Sequence, residues 1–179
     1  MFDVFPHFDM GEYTLRKLRP YEDAHSLLEY ITDPRVCAFI AAPCVPHTYD
    51  EATADLQYWA SRFTYKSSYY WAIARKEDDK LIGTVGYNYV NQTHMRAELS
   101  YDLAPAYWGK GVMYNSLLQI MRYSFEELKI RRIQATVSQS NMRCINLLER
   151  LQMKREGTLA KYECLLGVFH DFYMYAATR

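Results

Sequence analysis

The chain predicts a single α/β domain, residues 1–179, in which a mixed sheet carries helices on both faces. Three observations lead there. It has 179 residues, 50% of them hydrophobic, which makes one core of ordinary size rather than two. The hydrophobic period switches from helical to alternating and back again along the chain. A late strand–helix–strand run then requires a parallel crossover inside an otherwise antiparallel order.

The first strand is expected over Thr14–Leu18. Ala24, Leu27, Leu28 and Ile31 follow at helical spacing until Asp33-Pro34, where proline removes an amide donor and restricts the residue before it. A loop from Cys37 to His47, with Pro43 and Pro46, comes next. Thr48 and Glu51 then form a capping box ahead of the apolar stripe Ala52, Leu56, Trp59 and Phe63. From Tyr69 the period is two: Tyr69-Trp71-Ile73, Val85-Tyr87-Tyr89 and Ala97-Leu99-Tyr101-Leu103 alternate, broken at Glu77–Lys80 and Asn91–Thr93. This is an antiparallel meander.

After Pro105, Met113, Leu117, Met121, Phe125 and Leu128 share a helical stripe. Ile133, Ala135 and Val137 alternate as a strand, and Cys144, Leu147, Leu148 and Leu151 mark another amphipathic helix. The strands around Leu99 and Ala135 should therefore be parallel neighbours. Lys154–Leu166 and Val168–Ala176 close the chain as two strands turning at Gly167. The expected order is β-α-α-β-β-β-α-β-α-β-β, with about seven strands.

Bulk charge excludes some functions. Lysine plus arginine equals aspartate plus glutamate at 21 each, so no global field draws the protein to nucleic acid or an anionic membrane. No apolar run approaches the roughly 20 residues that cross a bilayer. The 5 histidines lack i, i+4 pairing, so no metal site is expected. Cys37, Cys44, Cys144 and Cys164 show no C-x-x-C spacing, and Met1–Met10 lacks the order of a secretion signal; a cytoplasmic protein is expected. The sequence leaves the oligomeric state open, a homodimer among the options.

Chemistry concentrates at Leu103-Ala-Pro-Ala-Tyr-Trp-Gly-Lys-Gly-Val-Met113, which joins a strand end to a helix start through two glycines. Amides at a helix N-terminus have no intrahelical acceptor and feel the positive end of the dipole, so a glycine turn there suits phosphate. A Walker loop would need Ser or Thr after Gly-Lys, where Gly111 stands instead; a dinucleotide fingerprint would need a third glycine near Tyr114 and a leading βαβ unit. A plain glycine-bearing helix start is the bland alternative.

With its flanks, Arg96-Ala-Glu-Leu-Ser-Tyr-Asp-Leu-Ala-Pro-Ala-Tyr-Trp-Gly-Lys-Gly111 resembles the central segment of the GNAT superfamily, in particular its RimJ/RimL-like, ribosomal-protein-alanine acetyltransferase branch. Asn141-Met-Arg-Cys-Ile-Asn-Leu-Leu-Glu-Arg-Leu-Gln-Met-Lys-Arg-Glu-Gly157, Thr14–Pro20 and Pro46–Ala52 extend the resemblance over nearly the whole chain. It implies a GNAT-like fold and acetyl-coenzyme A as donor. The pyrophosphate would lie on the amides of Trp108, Gly109, Lys110, Gly111, Val112 and Met113, and the pantetheine beside the strand ending at Leu103. Asn141 is implied as a coenzyme contact. Cys144 stands where RimL-type enzymes carry a serine that protonates the leaving thiolate. The loop departs from the superfamily pattern at Trp108 and Met113, Gln152-Met153 replaces Gly-Phe, and Leu148 stands where another branch has a tyrosine acid.

An α-amine with a pKa near 8 must lose a proton before attacking a thioester. Glu98 is the expected base, because it shares with Ser100 and Asp102 the strand face opposite the apolar one. The resemblance implies that the acceptor pocket borders His47, Tyr49, Trp71, Tyr87 and Tyr162. The expected activity is acetyl transfer from acetyl-coenzyme A to a primary amine, either a protein N-terminus or a small amine such as a polyamine, an amino acid or an amino-sugar. A non-catalytic acyl-coenzyme A binder is the rival.

Overall fold

The computed structural model describes residues 4–179. Eight strands form one sheet in the order β1-β2-β3-β4-β5-β6-β8-β7. Strand β1 (Phe8–Asp9) is the one the sequence does not announce. It is two residues long, too short for any period, and pairs through Phe8 opposite Leu15 onto β2 (Tyr13–Lys17). Helix α1 (Pro20–Ile31) carries Pro20 in its first turn, where a missing amide hydrogen costs nothing. The expected loop after it holds a short helix, α2 (Pro34–Cys37), and a 3₁₀ turn at Ala42–Cys44.

Helix α3 (Tyr49–Arg62) starts on the expected capping box: the Thr48 side chain accepts from the Glu51 amide at 3.2 Å while the Glu51 carboxylate accepts from the Thr48 amide at 3.2 Å. Strands β3 (Tyr70–Arg75), β4 (Leu81–Asn91) and β5 (Arg96–Leu103) make the meander. Helix α4 (Val112–Glu126) crosses over to β6 (Arg132–Ser138), which lies parallel to β5, as expected for a strand–helix–strand crossover. Helix α5 (Met142–Arg150), β7 (Lys154–Leu165) and β8 (Val168–Thr178) complete the chain. The β7–β8 turn holds Leu166 at φ +50° and Gly167 at φ +80°, the pair of left-handed residues that matches the twist of a two-residue hairpin.

Two cores flank the sheet. On one face Trp71, Val85, Tyr87 and Leu99 pack with Leu117 and Ile120 of α4 and Leu148 of α5. On the other, Tyr70, Ala72 and Leu81 pack with Ala24 and Leu27 of α1 and Ala52 and Leu56 of α3. Strand parity thus assigns alternate residues of β3 and β4 to different helix layers, which decides what reaches the site.

Candidate functional site

The parallel ladder between β5 and β6 is short. Its pairs are Arg96–Arg132, Ala97–Ile133 and Glu98–Gln134, and it stops there. Beyond it, β5 stays paired to β4 as far as Leu103–Gly83, and β6 stays paired to β8 as far as Ser138–Phe172. Each strand is held from outside, so the two diverge as a V. The gap opens into a cavity of about 780 Å³ whose walls include Leu99–Leu103 from β5 and Ala135–Ser138 from β6. The inner edge of β5 therefore presents amides and carbonyls without a strand partner, and an extended ligand carrying amides can satisfy them.

The wide end of the V meets the N-terminus of α4. Gly109 and Gly111 sit at φ +74° and +79°, and Gly111 is the left-handed N-cap. An added Cβ would meet nothing within 4 Å at Gly109 and only the Asn115 amide group, at 3.8 Å, at Gly111; backbone conformation, not space, calls for glycine here. The first bond of the helix runs from the Asn115 amide to Gly111 O at 3.0 Å, so the amides of Val112, Met113 and Tyr114 face the cavity end without an intrahelical acceptor. Trp108 fixes the loop by donating its indole N–H to Leu103 O at 2.8 Å. The Arg143 guanidinium lies 3.8 Å above the Trp108 ring and that of Arg150 lies 4.2 Å above Tyr114, and both arginines line the cavity. Free helix amides with two guanidiniums beside them form an anion site that fits a pyrophosphate. Arg143 and Arg150 escape a reading of the motif alone, although both lie within the asparagine-led helix.

Asn141 caps α5 by accepting from the Cys144 amide at 3.1 Å, and both residues line the cavity. Burial pushes the Cys144 thiol up, and its hydrogen-bond partner Tyr101 is held well above the usual phenol range, chiefly by burial. At neutral pH the thiol is a proton donor facing the gap.

On the opposite side the walls turn acidic. Asp102 accepts from the Tyr30 hydroxyl at 2.5 Å and from the Thr84 amide and hydroxyl at 3.1 and 2.6 Å, and burial raises its carboxyl. Asp55 of α3 is pushed up to about 6, first by burial and then by the charge of Asp102. Glu163 of β7 is also raised, first by burial and then by Glu98. Tyr70 donates to Ser100 Oγ at 2.8 Å and stacks on Trp59 at 4.7 Å between centroids. Asn88, the extra residue of a bulge between Tyr87 and Tyr89, is turned toward this end.

Of the residues singled out from sequence, Leu103, Trp108, Gly109, Gly111, Val112, Met113, Asn141 and Cys144 meet around one cavity. Lys110 does not line it: its ammonium lies over the Tyr107 ring at 5.4 Å. Glu98 sits at the apex just outside, accepting from Gln134 Nε2 at 3.0 Å and from Asn88 Nδ2 at 3.5 Å. Trp71 and Tyr87 must be withdrawn as acceptor residues. Both are 0% exposed on the α4 face, with the Trp71 indole donating to Pro6 O and the Tyr87 hydroxyl 2.7 Å from Ser124 Oγ. Neither His47 nor Tyr49 lines the cavity: at the start of α3 the His47 backbone amide donates to Glu51 and the Tyr49 hydroxyl to Tyr21 O. Tyr162 packs on Phe172 beside the cavity rather than in it. Tyr70, Thr84, Asp55 and Glu163, which sequence reasoning did not single out, do line the cavity.

Gln152, where the branch has glycine, adopts φ +61°, the left-handed conformation that explains the preference for glycine there, and Met153 fills the core at 4% exposure. Among the described residues there is no cluster of metal-ligating side chains and no helix long and apolar enough to cross a membrane.

Residues 13–154 match the family model of the acetyltransferase (GNAT) domain. An N-acetyltransferase, p20, of Bacillus licheniformis is 35% identical, over 91% of this chain and 90% of its own. The ribosomal protein uS5-alanine N-acetyltransferase of Escherichia coli is 28% identical over 63% of this chain and 58% of its own. RimL, a ribosomal L7/L12 α-N-protein acetyltransferase solved in complex with coenzyme A, has the same fold, with a TM-score of 0.87 at 20% identity and 98% of each chain covered. An anion-binding helix start beside a split sheet is the geometry such a family needs, and the chain belongs to the acetyltransferase (GNAT) domain family, whose chemistry is acetyl transfer from acetyl-coenzyme A to an amine.

Proposed function

We propose that the enzyme transfers acetyl by direct attack of a primary amine on the thioester, without a covalent enzyme intermediate. The observation that carries this reading is one continuous cavity joining the free amides of α4, the unpaired edge of β5, a protonated thiol and a carboxylate. The α4 amides, Arg143 and Arg150 hold the pyrophosphate. The inner edge of β5 from Leu99 to Leu103 orients the pantetheine, and a β5 amide supports the thioester oxygen as it gains charge.

Glu163 is better placed than Glu98 to take the amine proton, because it lines the cavity while Glu98 does not. Glu98 acts on it from outside: its negative charge helps to hold the Glu163 carboxyl above the usual range, nearer the pKa of a useful base. Cys144 returns a proton to the departing thiolate, with the Tyr101 hydroxyl behind it. Nitrogen gains the acetyl group, its proton passes to Glu163, and coenzyme A leaves as the thiol.

The test is release of free coenzyme A thiol from acetyl-coenzyme A in the presence of mixed primary amines, alongside thermal denaturation with acetyl-coenzyme A, ATP or NAD. Acetyl-coenzyme A at 100 times its dissociation constant should add about 2.7 kcal/mol of stability, with ATP and NAD adding far less. Strong stabilisation with no thiol released by any amine would make the protein a binder rather than an enzyme.

A further inference from the structure

Helix α5 presents one stripe of its surface to the glycine loop. Arg143 and Arg150 stand two helical turns apart on that stripe, and Asn146 and Leu147 between them line the same cavity. The loop carries two aromatic rings, Trp108 just before the Gly109–Gly111 turn and Tyr114 just after it. The Arg143 guanidinium lies 3.8 Å from the Trp108 ring centroid, and that of Arg150 lies 4.2 Å from the Tyr114 centroid. Two rungs thus join α5 to the start of α4, one on each side of the turn in sequence.

The partners these arginines lack matter as much as the rings they touch. Among the described residues, no ion pair or side-chain hydrogen bond engages Arg143 or Arg150. Arg16, Arg75 and Arg132 are instead held by Asp23, Asp78 and Glu156. A carboxylate would consume the N–H edge of a guanidinium and repel an incoming phosphate. An aromatic face does neither, because it meets the flat side of the guanidinium while the N–H donors all lie in the plane. Arg35 supplies the contrast at the same ring. It lies 5.8 Å from the Trp108 centroid, but its Nε and Nη2 donate to Asp33 at 3.0 and 2.6 Å, so its fork of donors is already taken.

We propose that Trp108 and Tyr114 are positioning residues, whose ring faces hold Arg143 and Arg150 with their N–H edges open to the pyrophosphate of the acetyl donor. This rests on the pyrophosphate placement above and deepens it. Both arginines are exposed, and an arginine side chain loses much rotamer freedom when a ligand fixes it. Stacking restricts the side chain before the donor arrives, so the donor meets a preformed fork. The consequence is selection among thioesters: the two platforms favour a donor with linked phosphates and do nothing for a pantetheine thioester alone.

The experiment measures binding of acetyl-coenzyme A, its 3′-dephospho form and S-acetylpantetheine, which lacks the pyrophosphate, by calorimetry on the intact protein. Trp108→Leu and Tyr114→Leu should each weaken both coenzyme forms about tenfold and leave S-acetylpantetheine unchanged. Trp108→Phe keeps a ring but loses the indole donor to Leu103 O, and Tyr114→Phe keeps its ring; both should retain most of the wild-type affinity. In a double-mutant cycle, Trp108→Leu should cost little once Arg143→Met has removed its partner. Equal losses in Trp108→Phe and Trp108→Leu would give the role to the indole hydrogen bond and overturn the Trp108 platform. A loss that extends to S-acetylpantetheine in both leucine variants would show that the rings support the fold rather than the fork. A loss seen with acetyl-coenzyme A but not with its dephospho form would send the arginines to the ribose phosphate, which also overturns the proposal. Equal wild-type affinity for acetyl-coenzyme A and S-acetylpantetheine would remove the pyrophosphate site itself, whereas a wild-type preference left intact by both leucine variants would overturn the platforms alone.

Discussion

The two ends of the cavity are made of different material. The coenzyme end is largely backbone: a strand edge without a partner, two left-handed glycines and the first amides of α4, all within Leu99–Tyr114. The acceptor end is side chains, brought from α1, α3, β3, β4, β5 and β7. Backbone recognises what every coenzyme molecule shares, whereas side chains can be replaced one at a time. On the proposed reading, the common chemistry belongs to one end and selectivity to the other.

The largest expected effect tests whether the acceptor end also holds the base. Glu163→Gln keeps size and hydrogen bonding but removes basicity, so turnover near neutral pH should fall about 10²- to 10⁴-fold with little change in acetyl-coenzyme A affinity. In the wild type, kcat/KM should rise with pH as Glu163 ionises, and this limb should disappear in the variant. Glu98→Gln should cost less and move the limb to lower pH, because it removes a negative charge that holds the Glu163 carboxyl up. The opposite ranking of the two variants would return the role of base to Glu98.

The second prediction concerns the backbone end. Gly111→Ala places a side chain on a residue at φ +79°, which costs about 1–2 kcal/mol although space for the methyl is available. If that conformation is what presents the amides, acetyl-coenzyme A should bind roughly tenfold more weakly while acceptor preference is unaltered. A change in acceptor preference would show that the two ends are not separable.

The smallest effect reverses the usual sign of a site mutation. Asp55 has a folded pKa of about 6 against the ordinary 3.8, so between those values the unfolded chain has released a proton that the folded one keeps. Stability therefore falls as pH rises through that window, and the cost is complete above about 6. Asp55→Asn removes it. Allowing for solvent screening of a side chain that is partly exposed, the variant should gain about 1 kcal/mol at pH 7 and nothing near pH 3, measured by denaturant unfolding. Equal stability at both values would mean that water solvates Asp55 fully.

The same contrast governs what the amino-acid sequence reveals. Thr48 and Glu51, the αL glycines and the alternation along β5 each act locally, through dihedral preference or a bond three residues away, and each is legible at its own position. Acceptor residues depend on which strand face meets which helix layer. The resemblance implies Trp71 and Tyr87 for the acceptor pocket, but they pair opposite Val85 and Leu99 and so share the α4 face. Ser100 and Asp102 line the cavity, and their partners across the ladder, Gly86 and Thr84, lead through Gly86 to Tyr70. Register carried through the meander selects Tyr70 and Thr84 and rejects Trp71 and Tyr87. Asp55 and Glu163 remained out of reach, since nothing local says that α3 and β7 border the same space.

The three-pair ladder at the apex of the V has a consequence for how the sheet is completed. An unpaired strand edge is ordinarily an invitation to a neighbouring chain, and proteins cover or blunt it. Here the edge of β5 lines a cavity that α4 and α5 also line, open to a slender guest. Bound pantetheine would act as a ninth, non-peptide strand between β5 and β6. The amides of Leu99–Leu103 that point away from β4 then become a gauge of occupancy, their hydrogen exchange slowing as the guest docks, while the already paired β6–β8 ladder keeps its own pace.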